Sequence, residues 1–277
     1  MTLTSGILSR DKLLAAAATL EPLPASVTRL AALSPGDDDI LDEIISAVSL
    51  DPVLTAEVLR FANSAFARRS REIATVEAAV VRLGATAVLR MATTKALSGQ
   101  VKNLSGPAKA AAQRVWSHSV ATAAAIETIA TSADLPMPAE ATSAAMLHDV
   151  GKLLLTRTLT PPVLTLLEEL ATGEGRTTID AEREVLLVDH GELGAAAAES
   201  WQLPSRVVEA IRGHHGPFDG DDLITIVGLA DAIAHAVDGD QPSEQADELL
   251  RALNLDNFAW PDLVEQTKRR IERVLRG

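Results

Sequence analysis

Apolar residues recur at three- and four-residue spacing along nearly all of this 277-residue chain, and no alternating pattern of useful length interrupts them. That periodicity dictates helices with one buried face and leaves no material for a sheet. Composition agrees. Hydrophobic residues make up 47% of the chain but aromatic ones only 3%, so small and aliphatic side chains do the packing. An all-α protein is expected.

The punctuation places the helices. Ile40–Val48 carries apolar residues behind the acidic opening Asp37-Asp38-Asp39, which suits the positive end of a helix. Asp51-Pro52 reads as a cap followed by proline at the first helical position, with Leu54, Val58, Leu59 and Phe61 on the buried side. Thr75 caps a helix that stops at Gly84, and another runs over about 86–97. Asn103-Leu-Ser-Gly-Pro107 is the clearest break, and the charge balance changes there. Beyond it the pattern predicts a long Ala-rich helix over about 108–131 and a turn at Leu135-Pro-Met-Pro138. Helices are expected near 139–148, 162–172, 178–188, 191–201, 204–213 and 222–237. A second break at Asp238–Pro242 leaves helices near 243–252 and 260–275. The expected organisation is a helical subdomain over 1–106, a second over 107–238 and a C-terminal helical extension over 239–277.

Charge and cysteine usage exclude several functions. The formal net charge is −13, all of it in residues 108–277, since residues 1–107 carry equal numbers of acids and bases. An acidic surface repels phosphate backbones, so bulk nucleic-acid binding is not expected. Residues 60–102 are a local exception, with eight basic groups against Glu72 and Glu77, a net of +6. That segment is either a solvated helix surface or a docking face for an acidic partner protein. There is no cysteine, which removes disulfides, thiol nucleophiles, iron–sulfur clusters and cysteine-ligated zinc. Met1–Arg10 has no basic start and no adequate apolar core. The longest run free of Asp, Glu, Lys and Arg is 12 residues, Val115–Ile126, short of the roughly 20 that span a bilayer. A cytoplasmic protein without a membrane segment is expected.

Six histidines, at 118, 148, 190, 214, 215 and 235, carry the chemistry. Singly, each has a structural explanation: His118 as a hydrogen-bonded core residue, Asp231 as a buried partner for a histidine or as a helix cap. As a set, imidazoles and carboxylates suit transition metals, and several can hold two ions a few ångström apart. His148 and Asp149 are adjacent and diverge by about 100° around a helix, so they converge most easily at a helix end, which Gly151 is expected to supply. Glycines 213 and 216 flank His214-His215 and allow a backbone bend. Four residues after His190, Gly194 leaves a bare surface on the same face, where another helix can approach closely.

The order His118, His148-Asp149, Asp231 resembles the HD superfamily of metal-dependent phosphohydrolases. More narrowly, the chain resembles the HDOD family of HD-related output domains in bacterial signalling. Glu21–Leu30, Leu50–Phe66, Ile73–Gly84, Glu192–Gly194 and Trp201–Ile211 carry this resemblance, which covers about residues 20–236. It implies an N-terminal helical subdomain packed on an HD-like helical core, and a regulatory role exercised through a signalling protein partner.

His118, His148, Asp149, His190, His214, His215 and Asp231 match the ligand pattern of the related HD-GYP phosphodiesterases, and Lys152 matches the lysine of their His-Asp-x-Gly-Lys motif. The resemblance therefore implies one or two divalent transition-metal ions, iron or manganese. Lys152 is the expected catalytic cation on a phosphate oxygen, or else a structural partner of Asp149. His235 has no matching position and is expected on the surface or behind a ligand. The Gly-Tyr-Pro element is missing: Gly-Pro-Phe-Asp-Gly follows His215 and the chain has no tyrosine. Two functions follow as expectations. One is a signalling output module with a His/Asp metal site; the other is an active metal-dependent phosphohydrolase acting on a nucleotide or cyclic dinucleotide.

Overall fold

Side-chain caps fix where several helices begin, and the computed structural model shows how these helices stack. It describes residues 9–20, 27–28, 30, 40–50, 52–64, 73–100, 106–133, 135, 137–138, 140–172, 176–218, 220–239, 244–255 and 260–276. Among these the regular elements are all helices. The N-terminal group comprises α1 (Arg10–Ala18), α2 (Ile40–Ser49), α3 (Pro52–Ser64), α4 (Val76–Leu83) and α5 (Ala85–Gln100). The Thr75 hydroxyl accepts from the Ala78 amide at 3.2 Å, and Gly84 closes α4 at φ 81°. Asp37, Asp38, Asp39 and Asp51 lie outside the described residues.

The second group begins with the 28-residue α6 (Gly106–Ala133). It continues through α7 (Ala141–Leu147), α8 (Val150–Thr158), α9 (Pro161–Ala171), α10 (Thr178–Leu186) and α11 (His190–Ser200). Then come α12 (Ser205–Gly213), α13 (Asp222–Asp238), α14 (Glu244–Ala252) and α15 (Trp260–Arg276). Helix α6 is the axis: α5, α7, α8, α13 and α15 all pack against it. Its alanines make this possible, since Ala112, Ala123, Ala124 and Ala125 are buried and hold neighbouring backbones close on several sides. One cluster of buried apolar side chains runs from Leu13 to Leu263, joining both groups. Helix α1 lies on α11, where Arg10 pairs with Glu192 at 2.8 Å and the Trp201 indole donates to the Leu20 carbonyl at 3.3 Å. No helix among the described residues is long and apolar enough to cross a membrane.

Two departures from the sequence reading bear on the site. Gly151 does not end a helix. The preceding helix ends at Leu147, with His148 as its C-terminal boundary, Asp149 as the N-terminal boundary of α8 and Gly151 inside the first turn of α8. Helix α8 itself was not expected, because a glycine after His-Asp reads as a stop. Its real use is a close crossing: a Cβ on Gly151 would lie 2.0 Å from the His190 carbonyl oxygen and 2.8 Å from the Gly194 amide. The bare surface expected at Gly194 is therefore occupied, by α8. Backbone cannot yield as a flexible side chain can. We predict that Gly151→Ala destabilises the fold by about 3 kcal/mol or more, read by urea denaturation.

Candidate metal centre

Six described elements or their ends deliver the donors. His118 stands midway along α6, His148 closes α7, and Asp149 fills the two-residue joint before α8. His190 is the first residue of α11, positioned by Asp189, whose carboxylate caps the helix by accepting from the Glu192 amide at 2.9 Å. His214 and His215 follow α12 before the left-handed Gly216 at φ 90°. Asp231 sits inside α13, so it is not a cap. His118, His148, Asp149, His190, His214 and Asp231 are all buried, and His215 is half-buried.

The seven residues converge. Asp149 is the hinge of the arrangement. Its Oδ1 lies 3.2 Å from His190 Nε2 and 3.8 Å from His214 Nε2, and His190 Nε2 is 3.0 Å from His215 Nε2. Its Oδ2 lies 3.6 Å from His148 Nε2, 4.0 Å from His118 Nε2 and 2.8 Å from Lys152 Nζ. Asp231 Oδ1 joins that second side, 2.7 Å from His118 Nε2 and 3.4 Å from His148 Nε2. Three donor groups therefore form, each with its atoms within 4.8 Å of one another: Asp149–His190–His214–His215, His118–His148–Asp149 and His118–Asp231–His235. The first two share the Asp149 carboxylate, and the third adds the rim residue His235.

Tautomers follow from the partners on the far side of each ring. His148 Nδ1 donates to the Ala145 carbonyl and His214 Nδ1 to the Ile211 carbonyl, both at 2.7 Å. His190 Nδ1 donates to the Glu182 carboxylate at 2.7 Å, and the same oxygen accepts the His190 amide at 2.8 Å. Each Nε2 is thereby aimed into the centre, where it can bind a cation once it carries no proton. Glu182 is the functional residue that the sequence reading missed. It lies in Thr178–Leu186, whose other carboxylates make Glu182 look like part of a solvated face, yet it is 2% exposed.

Electrostatics favour a cation here. His148 Nε2 and Asp149 Oδ1 are buried with no hydrogen-bond partner. An orphaned buried polar group costs about 1–3 kcal/mol, and here a lone pair also faces two carboxylates. The carboxyl groups of Asp149 and Asp231 resist the upward push of burial and stay well below the usual range. Lys152 and the imidazoles hold Asp149 ionised, and the hydrogen bond from His118, with the His148 imidazole close by, holds Asp231 ionised. Burial disfavours a charged His190, but Glu182 and Asp149 outweigh it and hold its pKa at about 9. Burial, then His190, push His215 down to about 3, so the pair shares one proton. The clustered donors fit a metal ion.

His235 falls one turn beyond Asp231, with Nε2 3.6 Å from Asp231 Oδ1 and its ring 4.5 Å from that of His118. It stands on the rim, half exposed, between two lobes of a cleft that opens on the centre. One lobe, about 440 Å³, runs between α6, α8 and α9; the other, about 490 Å³, lies beside α10 and the start of α14. Lys152 borders both.

With this geometry in view, comparison with known proteins is decisive on family. The HDOD domain pattern matches residues 20–217. This chain belongs to the HDOD family. Solved structures share the fold. An HDOD domain protein of unknown function from Geobacter sulfurreducens is 24% identical, with 95% of this chain and 93% of that one covered and a TM-score of 0.67. A candidate phosphohydrolase from Shewanella amazonensis SB2B is 25% identical, with 95% and 97% covered and a TM-score of 0.64. A candidate signal transduction protein from Marinobacter aquaeolei VT8 is 21% identical, with 96% and 64% covered and a TM-score of 0.72. An uncharacterized protein of Treponema pallidum (strain Nichols) is 24% identical over 228 residues, and the HDOD chain spans 44% of its length. The HDOD match ends before Asp231, which α13 brings back to His118.

Because Glu182 fixes both the tautomer and the direction of His190, its loss is expected to weaken any metal held here. We predict that Glu182→Gln lowers metal affinity by about 10- to 100-fold, measured by competition with a coloured chelator. An unchanged affinity would leave Glu182 as a helix-packing residue only.

Proposed function

We propose that this HDOD protein is a bacterial signalling module whose His/Asp centre holds one or two divalent transition metals, iron or manganese, and binds a phosphorylated ligand. Its ligand state is relayed to a protein partner. The observation that carries this reading is the carboxylate of Asp149 shared between two inward-facing donor groups, with buried His148 Nε2 and Asp149 Oδ1 unpaired. Imidazole with carboxylate suits iron and manganese better than a thiolate-seeking metal. His118, His148, Asp149 and Asp231 would hold an ion on one side, and Asp149, His190, His214 and His215 on the other. Such ions supply Lewis acidity to a phosphoryl oxygen and lower the pKa of a bound water. Lys152, half-buried at the cleft floor, supplies a fixed positive charge to a phosphate oxygen, and Asp149 holds it there at 2.8 Å.

The partner surface remains with the N-terminal helices in this reading. Two of the eight basic groups of 60–102 are already used internally, Arg90 pairing with Glu127 at 2.8 Å and Lys95 with Glu57 at 2.5 Å. Arg68, Arg69 and Arg71 lie outside the described residues.

A second reading, a metal-dependent phosphohydrolase, is favoured by one feature: the donors and Lys152 face an open cleft rather than a sealed core. One experiment separates the two. Metal-loaded protein is expected to bind inorganic phosphate, with Lys152→Met weakening binding about tenfold or more, the range for a charged hydrogen bond. It is expected to leave cyclic dinucleotides and nucleoside phosphates uncleaved. Turnover abolished by Asp149→Ala would establish the hydrolase instead, and absence of phosphate binding would remove the ligand site.

A further inference from the structure

The two lobes of the cleft differ in chemistry. The lobe beside α10 is edged by Arg176, Arg183, Asp180 and Gln245. The lobe between α6, α8 and α9 has aliphatic walls, formed by Ala111, Val115, Leu155, Leu164, Leu167 and Ala171. No Phe or Trp lines it, and the rings that do are the imidazoles of His118 at its inner end and His235 at its mouth, so a nucleobase finds no ring to stack on along the aliphatic walls. Two of its hydroxyls are spent locally: Thr156 donates to the Leu153 carbonyl and Thr172 to the Glu169 carbonyl, both at 2.8 Å. At its outer rim Arg114 faces Glu168 at 3.6 Å. At its inner end stand His118, Asp149 and Lys152. The lobe is thus apolar along its length and charged at its floor.

We propose that this lobe receives the aliphatic chain of a phosphomonoester whose phosphate lies at Lys152. The inference rests on the phosphate-binding reading and adds the class of the organic group. Size agrees: at roughly 30 Å³ per small group, the volume share of a liquid water, about 440 Å³ holds on the order of a dozen methylene-sized groups. A medium-length alkyl phosphate therefore fills it. A cyclic dinucleotide, with two polar bases and only imidazoles at the two ends to stack on, gains little from these aliphatic walls.

The test is calorimetric titration of the full, metal-loaded chain with inorganic, methyl, butyl and octyl phosphate, kept below micelle-forming concentrations. Each buried methylene is worth up to about fourfold in affinity, so octyl phosphate is expected to bind at least about tenfold more tightly than butyl phosphate. Ala111→Trp fills the lobe from a half-buried position on α6 and is expected to abolish that gain while leaving inorganic phosphate binding intact. Leu164→Gln, also half-buried, on α9, is the second variant should the first misfold.

Phosphate binding with no dependence on chain length overturns the inference and spares the functional reading. So does tighter binding of nucleoside phosphates than of octyl phosphate. Chain-length dependence that persists in both variants also overturns it. Alkyl binding lost in the variants, without any binding of inorganic phosphate, keeps the lobe and removes the phosphate site. No binding by any member removes both.

Discussion

The backbone crossing of α8 and α11 sets the spacing on which the candidate centre depends. With Gly151 at the crossing, α8 approaches so closely that any side chain there would overlap the His190 carbonyl. That contact places His190 Nε2 3.2 Å from Asp149 Oδ1, although the two residues are 41 positions apart in sequence. Asp149 at the foot of α8 then faces His148 and Lys152 from its own segment, and His190 from the crossing helix. A wider crossing would separate the two donor groups that its carboxylate now joins.

Burial of so many ionisable groups is expensive unless they neutralise one another. Here two ionised carboxylates face a lysine and the cluster of imidazoles, and an outer ring of partners orients the rings. Glu182 and the Ala145 and Ile211 carbonyls each take an Nδ1 proton and turn an Nε2 inward. What remains unbalanced is local: His148 Nε2 and Asp149 Oδ1 have polar neighbours but no hydrogen bond. Those two atoms, on two sides of one site, are the lone pairs best placed to receive a cation.

Much of this was legible in the residues. The helical period gave an all-α chain, Thr75 and Gly84 bounded α4, and the alanine run gave α6 to within two residues at each end. The seven donors could be named because His, Asp and Gly occur in short, specific runs, and the family resemblance ordered them. Three features were hidden for physical reasons. Gly151 reads locally as a terminator, and only the tertiary crossing explains a glycine inside a helix, so α8 went unread. Glu182 shares its helix with Glu184, and which of the two is buried depends on the neighbours of α10, not on spacing. The unequal lobes depend on which faces of α6, α9 and α10 meet the cleft, which a single-helix pattern does not encode.

Everything proposed for the site turns on metal held at the shared carboxylate. Elemental analysis of protein purified without chelators, beside His148→Ala/Asp149→Ala prepared identically, tests it most directly. One to two equivalents of iron or manganese are expected in the parent protein, with a near-complete loss in the folded double variant. Equal and near-zero metal in both would contradict it.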